Sequence, residues 1–290
     1  MLYGALEAGG TKMVCAIGNE NGEILEQVKF PTETPETTMP QIFEYFKGKD
    51  IKALGIACFG PIDLNEDSET YGSITTTPKL AWSGYNIVNA AKEALGIPVG
   101  FDTDVNGSLL GEITWGCAKG LSDALYLTIG TGVGGGVMSN GKLLHGMLHP
   151  ELGHLLLPIV EGDPGKCVCP YHRNCLEGLA SGPSLKARWG VSADQLVDKK
   201  EVWEIEAEYI ATALVTYVVT LSPKKIILGG GVMHQEQLFP MIRARFKELL
   251  NGYIVTNELE DLDNYIVPAS LNDDQGIMGA IKLAIDASEK

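Results

Sequence analysis

Two glycine-rich loops, one acid-bearing turn and one cysteine–histidine cluster are the stretches of this 290-residue chain whose residue types and spacing could do chemistry. Glycine lets backbone N–H groups approach an anion without side-chain obstruction. Gly9-Gly10-Thr11-Lys12 and Gly130-Thr131-Gly132-Val133-Gly134-Gly135 are therefore candidates to hold phosphate. The second fits G-x-G-x-x-G by letter, but Gly136 to Gly141 reads as strand and turn where a dinucleotide fingerprint needs a helix. The first has Thr before Lys and a strand after it, so it lacks the Walker order. Taken singly, either loop fits a plain hairpin. Together, each after a strand and each with a threonine hydroxyl, they suggest two jaws around a polyphosphate.

Asp102-Thr103-Asp104-Val105-Asn106 falls where a strand meets a helix, the carboxyl edge at which α/β proteins hold ligands. Thr103 or Asp102 could cap that helix unaided, which leaves Asp104 surplus and able to accept a proton from an alcohol; a purely capping role is the alternative. His154 precedes Cys169, His172 and Cys175 closely enough to close a four-ligand zinc site, with Cys167 as a spare thiolate. The same residues also fit a flexible reduced loop. Glu151 shares a turn with His154, and Glu177 follows the last cysteine directly. A carboxylate held beside a metal knuckle can bind polyol hydroxyls, although an ordinary surface Glu is equally compatible with that position. The stretch from Gly162 to Cys175 has little apolar content, so a metal is expected to order it.

Alternating strand and helix patterns place these residues in an α/β protein. Strands are expected over 2–7, 12–18, 23–30, 53–58 and 98–102, with helices over 39–46, 87–95 and 105–116. A second cycle starts at Leu125 with the same grammar of strand, glycine loop, strand and Asn-Gly turn, and it ends in helices over 201–221, 235–250 and 275–287. The length predicts two domains, divided as 1–117 and 118–290, the knuckle spanning 154–175 and the last helix free to return to the first lobe. Hydrophobic residues make up 45%, and Gly at 35 of 290 exceeds the usual ~7%, which predicts close backbone approaches. A net charge of −15 with no basic run argues against nucleic acid and anionic membrane as partners. No secretory signal or spanning segment is evident, so the expected location is cytoplasmic.

Read in order, Glu7 to Lys12, Phe59-Gly60-Pro61-Ile62-Asp63, Thr77-Pro78 through Trp82, Asp102 to Asn106, Ile129 to Gly132, Glu151 to His154, the knuckle, and Leu228 to Gly231 resemble the ROK sugar kinases, and within them most the bacterial fructokinase branch. The resemblance implies an actin-like ATPase fold: two ribonuclease-H-like lobes with a central cleft for ATP and sugar. It implies Gly9, Gly10, Thr11 and Lys12 on the first phosphate loop, Gly130, Thr131 and Gly132 on the second, and Gly229 and Gly230 near the adenosine. Asp104 would be the base, and Gly60, Pro61, Thr103, Asp104, Glu151, His154 and Glu177 would face the sugar. His154, Cys169, His172 and Cys175 would hold a structural Zn2+, Mg2+ would travel with ATP, and the protein would be a homodimer.

Three positions depart from the commoner family pattern. Glu7 stands where most members have Asp, Thr103 replaces an Asn before the catalytic Asp, and the knuckle has a longer final gap. The expected reaction is phosphorylation of D-fructose to D-fructose 6-phosphate; kinases for glucose, mannose or N-acetylmannosamine are the alternatives. The family also contains sugar-responsive regulators, but those need an N-terminal DNA-binding module, and here the first strand is expected from Leu2.

Overall fold

The computed structural model describes residues 1 to 290. They divide into two compact units: Met1–Gly120, Leu143–Pro150 and Ser270–Lys290 form the first, Leu121–Lys142 and Glu151–Ala269 the second. The chain thus re-enters the first unit twice. The short passage Leu143–Pro150 is one the sequence had left in the second lobe.

The first unit is built on β1 (Leu2–Ala8), β2 (Lys12–Asn19), β3 (Ile24–Pro31), α1 (Pro35–Phe46), β4 (Ile51–Cys58), α2 (Ile87–Leu95), β5 (Val99–Thr103) and α3 (Asp104–Thr114). Its sheet runs β3-β2-β1-β4-β5, antiparallel through the first three strands and parallel from β1 through β4 to β5. Side chains alternate faces along a strand, so both faces of β1 find cores. Leu6 and Ala8 join Met39, Ile42 and Phe46 of α1, while Tyr3 and Ala5 join Ile277, Ala280, Ile281 and Ala284 of the closing helix, Gln275–Ser288. That helix lies almost on the strand backbone: a Cβ on Gly55 would come within 1.8 Å of the Ala280 carbonyl oxygen. The glycine excess is used here for close approach.

Helix α1 starts four residues before the expected Met39. Pro35 stands in its first turn, where a missing N–H is harmless, and the buried face of Met39, Ile42 and Phe46 holds the helix together past Pro40.

The second unit repeats the plan with β6 (Ala124–Ile129), β7 (Val133–Ser139), β8 (Lys142–Leu143), α4 (Leu176–Ala180), α5 (Gly182–Trp189), α6 (Lys200–Leu221), β9 (Ile226–Gly229), α7 (Leu238–Leu250) and β10 (Ile266–Pro268). Its sheet runs β8-β7-β6-β9-β10, again an antiparallel hairpin followed by parallel neighbours. Helices α4 and α5 were not expected from the sequence. No helix is long and apolar enough to cross a membrane.

Candidate functional site

In the first unit, register alone gathers the chemistry. Ala8 pairs with Cys58, and Cys58 with Thr103, so β1, β4 and β5 end level. The loops that follow, Gly9–Lys12, Phe59–Asp63 and the turn into α3, therefore leave one carboxyl edge side by side. Gly9 N–H closes the first loop on the Lys12 carbonyl at 3.1 Å, and Thr32 Oγ1 donates to the Gly9 carbonyl at 2.7 Å. Lys79 lies against this loop, its Cε 3.6 Å from where a Cβ on Gly10 would stand. Sequence reasoning passed over that cation although it sits inside the quoted Thr77 to Trp82 segment.

Thr103 caps α3, its Oγ1 accepting the Asn106 N–H at 3.1 Å. Asp104 is therefore free of the capping duty, and its carboxylate accepts the N–H of Val105, at 2.9 Å. Loss of solvation pushes its carboxyl up to about 6, against the lowering pull of the backbone N–H groups of the helix start. Glu7, on the same edge, is pushed to about 7 by burial first and then by Asp104, with Asp274 adding repulsion and Lys12 opposing it. Two carboxyls tuned toward neutrality at a strand edge can take and hold a proton near physiological pH.

The returning loop Leu143–Pro150 docks on this edge. His145 Nε2 is 3.0 Å from Oδ2 of buried Asp102, whose Oδ1 accepts from Thr103 N–H at 2.8 Å and Asn106 Nδ2 at 2.7 Å. His149 is buried, and its Nε2 accepts the Ile62 N–H at 3.3 Å, beside Gly60 and the cis Gly60–Pro61 bond. Burial holds the His149 pKa below its usual value. Neither histidine was singled out from sequence, because a lone histidine in a loop has no periodic or spacing signal.

In the second unit, Thr128 pairs with Gly229, so the loops after β6 and β9 also leave one edge together. The backbone of Gly130 is bound by Gly132 and by Gly182, the latter donating to its carbonyl at 2.8 Å. Gly230 has φ 88°, and a Cβ there would meet the Ile129 carbonyl at 2.5 Å, so only glycine fits. Glu177 Oε2 accepts the Val133 N–H at 3.1 Å and lies 2.8 Å from where a Cβ on Gly132 would stand. Its carboxylate thus abuts the second glycine loop. Gly153 packs on the Val133 carbonyl, and Tyr217 Oη donates to the Leu152 carbonyl at 2.6 Å, which fixes the turn carrying Glu151 and His154.

The structure brings His154, Cys169, His172 and Cys175 together, with ligand atoms within 4.8 Å of one another. Cys169 Sγ is 3.9 Å from Nδ1 of His154 and 3.5 Å from Nδ1 of His172. Tetrahedral Zn–S and Zn–N bonds require ligand separations of about 3.3 to 3.8 Å, and a two-Cys, two-His donor set is a zinc set. The residues fit that ion. Cys167 is turned aside, its Sγ donating to the His172 carbonyl at 3.2 Å. Cys175 also caps α4, so this ligand sets the helix that carries Glu177.

Contrary to expectation, the loop to Cys175 is not ordered by metal alone: the Asp163 side chain is fully buried, 2.7 Å from Arg188 Nε and 2.6 Å from Tyr209 Oη, and Leu157 and Asn174 exchange hydrogen bonds at its far end. These polar ties join the loop to α5 and α6 where apolar side chains are scarce.

Residues 3–287 match the ROK family. The chain is 47% identical to a fructokinase of Pediococcus pentosaceus, the alignment covering 98% of each, and 40% identical to a fructokinase of Zymomonas mobilis, covering 100% of this chain and 98% of that one. The crystal structure of a ROK hexokinase from Thermus thermophilus superposes with a TM-score of 0.82 at 28% identity, covering 100% of both chains. The actin-like ATPase fold expected from the sequence is the fold observed.

Proposed function

This chain belongs to the ROK family of sugar kinases, and from that premise we propose that it transfers the γ-phosphoryl group of ATP to the 6-hydroxyl of D-fructose. The observation that carries the mechanism is Asp104, released from capping by Thr103 and raised to about 6. It accepts the proton of the attacking hydroxyl as that oxygen bonds to phosphorus; the bond to the ADP oxygen breaks, and ADP leaves. The full-length likeness to fructokinases supports the choice of sugar.

On the first unit the reading assigns Gly9, Gly10, Thr11 and Lys12 to phosphate and the Gly60–Pro61 loop to the sugar. On the second it assigns Gly130, Thr131 and Gly132 to phosphate, Gly229 and Gly230 to the adenosine, and Glu151, His154 and Glu177 to the sugar. Thr103 is buried and committed to the cap, so it leaves the sugar set. Zn2+ on His154, Cys169, His172 and Cys175 is a structural cross-link. Mg2+ neutralises phosphate charge when bound with ATP, and Glu7, crowded by Asp104 and Asp274, is the acid to hold it through water. The reading includes a cytoplasmic homodimer.

A coupled ADP-release assay across hexoses tests this. Fructose should exceed glucose in kcat/KM, as the full-length likeness to fructokinases leads us to expect. The base must be ionised, so kcat/KM for fructose should fall as pH drops through about 6, the value expected of Asp104. Glucose used as well as fructose, or a mannose or N-acetylmannosamine preference, would move the protein to another branch of the family.

A further inference from the structure

The sugar-facing side chains assigned on the first unit are short of donors. Asp104 is an acceptor, Gly60 and Pro61 have no polar side chain, Thr103 is turned into the cap of α3, and Asn106 Nδ2 is bound to Asp102. A polyol needs donors for its oxygens as well as acceptors for its protons. His145 is the side chain in a position to supply one. Its ring is 38% exposed, and Nε2 takes up both of its contacts, Asp102 Oδ2 at 3.0 Å and Asn106 Nδ2 at 3.4 Å, which leaves Nδ1 for a ligand. The loop that carries it is pinned four residues later by His149 on Ile62, next to the Gly60–Pro61 turn. The loop is therefore anchored at both turns assigned to the acceptor, by His145 on Asp102 and by His149 on Ile62.

We propose that His145 is a sugar contact that helps determine specificity: Asp102 fixes the ring through Nε2, and the Nδ1 edge donates to a hydroxyl oxygen of the bound hexose. The hydrogen bond that His145 donates to Asp102 raises the His145 pKa, which favours the ring form with a proton on both nitrogens. This inference rests on the sugar-kinase reading and assigns that site a residue of its own.

The test separates the two nitrogens. Gln places an amide nitrogen near Nε2, so His145→Gln keeps the partner of Asp102 and removes the donor at Nδ1; His145→Asn does the reverse. Wild type and both variants are assayed by coupled ADP release with fructose, mannose and glucose, and their melting temperatures are compared. We expect His145→Gln to raise the fructose KM by about tenfold or more, the loss of one charge-assisted hydrogen bond. The ATP KM should stay within twofold, the hexose ranking should change, and melting should match wild type. His145→Asn should recover part of the fructose KM despite a lower melting temperature. An unchanged fructose KM and ranking in His145→Gln overturns the contact while leaving the kinase reading intact. A wild type that turns over no hexose overturns both.

Discussion

Asp104→Asn should lower kcat by about 10²- to 10⁴-fold while fructose and ATP still bind. Asn preserves the shape and the hydrogen bond from Val105 N–H at 2.9 Å, and Thr103 still caps α3, so the helix start is expected to survive. What is lost is the ability to take a proton from the attacking hydroxyl. The residual rate should also lose its acid limb near pH 6, because the group that titrates there is gone. Measured by ADP release with calorimetric titration of each substrate, a variant that keeps more than about a tenth of the wild-type kcat would remove Asp104 from the mechanism.

Removing the metal should be the second-largest effect, and it should fall on the sugar. Cys175 caps α4, and Glu177 is that helix's second residue; His154 closes the turn that begins at Glu151. Both proposed sugar carboxylates thus hang from ligands. The buried Asp163–Arg188–Tyr209 cluster keeps the base of the loop in place without metal, so Cys169→Ser should stay folded. Elemental analysis should show zinc lost, and the fructose Kd should weaken about tenfold or more, in line with the loss of a supporting shell around a binding site. The ATP Kd should weaken less than the fructose Kd, since Gly9–Lys12 belongs to the other unit and the second phosphate loop touches the cluster's helix only where Glu177 Oε2 meets Gly132 and the Val133 N–H. An unchanged fructose Kd in metal-free, folded protein would make the knuckle a remote staple.

Much of this was legible in the residues, for reasons of range. The strand ends that carry Gly9, Asp104, Gly130 and Gly229 are announced by local patterns, apolar runs closed by glycine or acid, and the repeat of that grammar shows as two sheets of the same order. Helix α5 was missed because Ser181-Gly182-Pro183-Ser184 reads as a loop. In fact Ser181 caps the helix, Pro183 sits in its first turn and Gly190 ends it in the left-handed region, which together are start and stop signals for a short helix. The return of Leu143–Pro150 to the first unit has no local signature at all. It is encoded in pairings of His145 with Asp102 and His149 with Ile62, each tens of residues apart in the chain. The Asp163–Arg188 pair escaped for the same reason: a buried ion pair looks, in sequence, like two surface charges.

Phosphorus NMR of the products shows whether this chain moves phosphate from ATP to the 6-hydroxyl of fructose. Wild-type protein incubated with zinc, Mg2+, ATP and fructose should release ADP and D-fructose 6-phosphate in equal amounts, and Asp104→Asn in a parallel reaction should release neither at a comparable rate. Phosphate on another hydroxyl, or no ADP above the ATP-only background with any hexose, would contradict it.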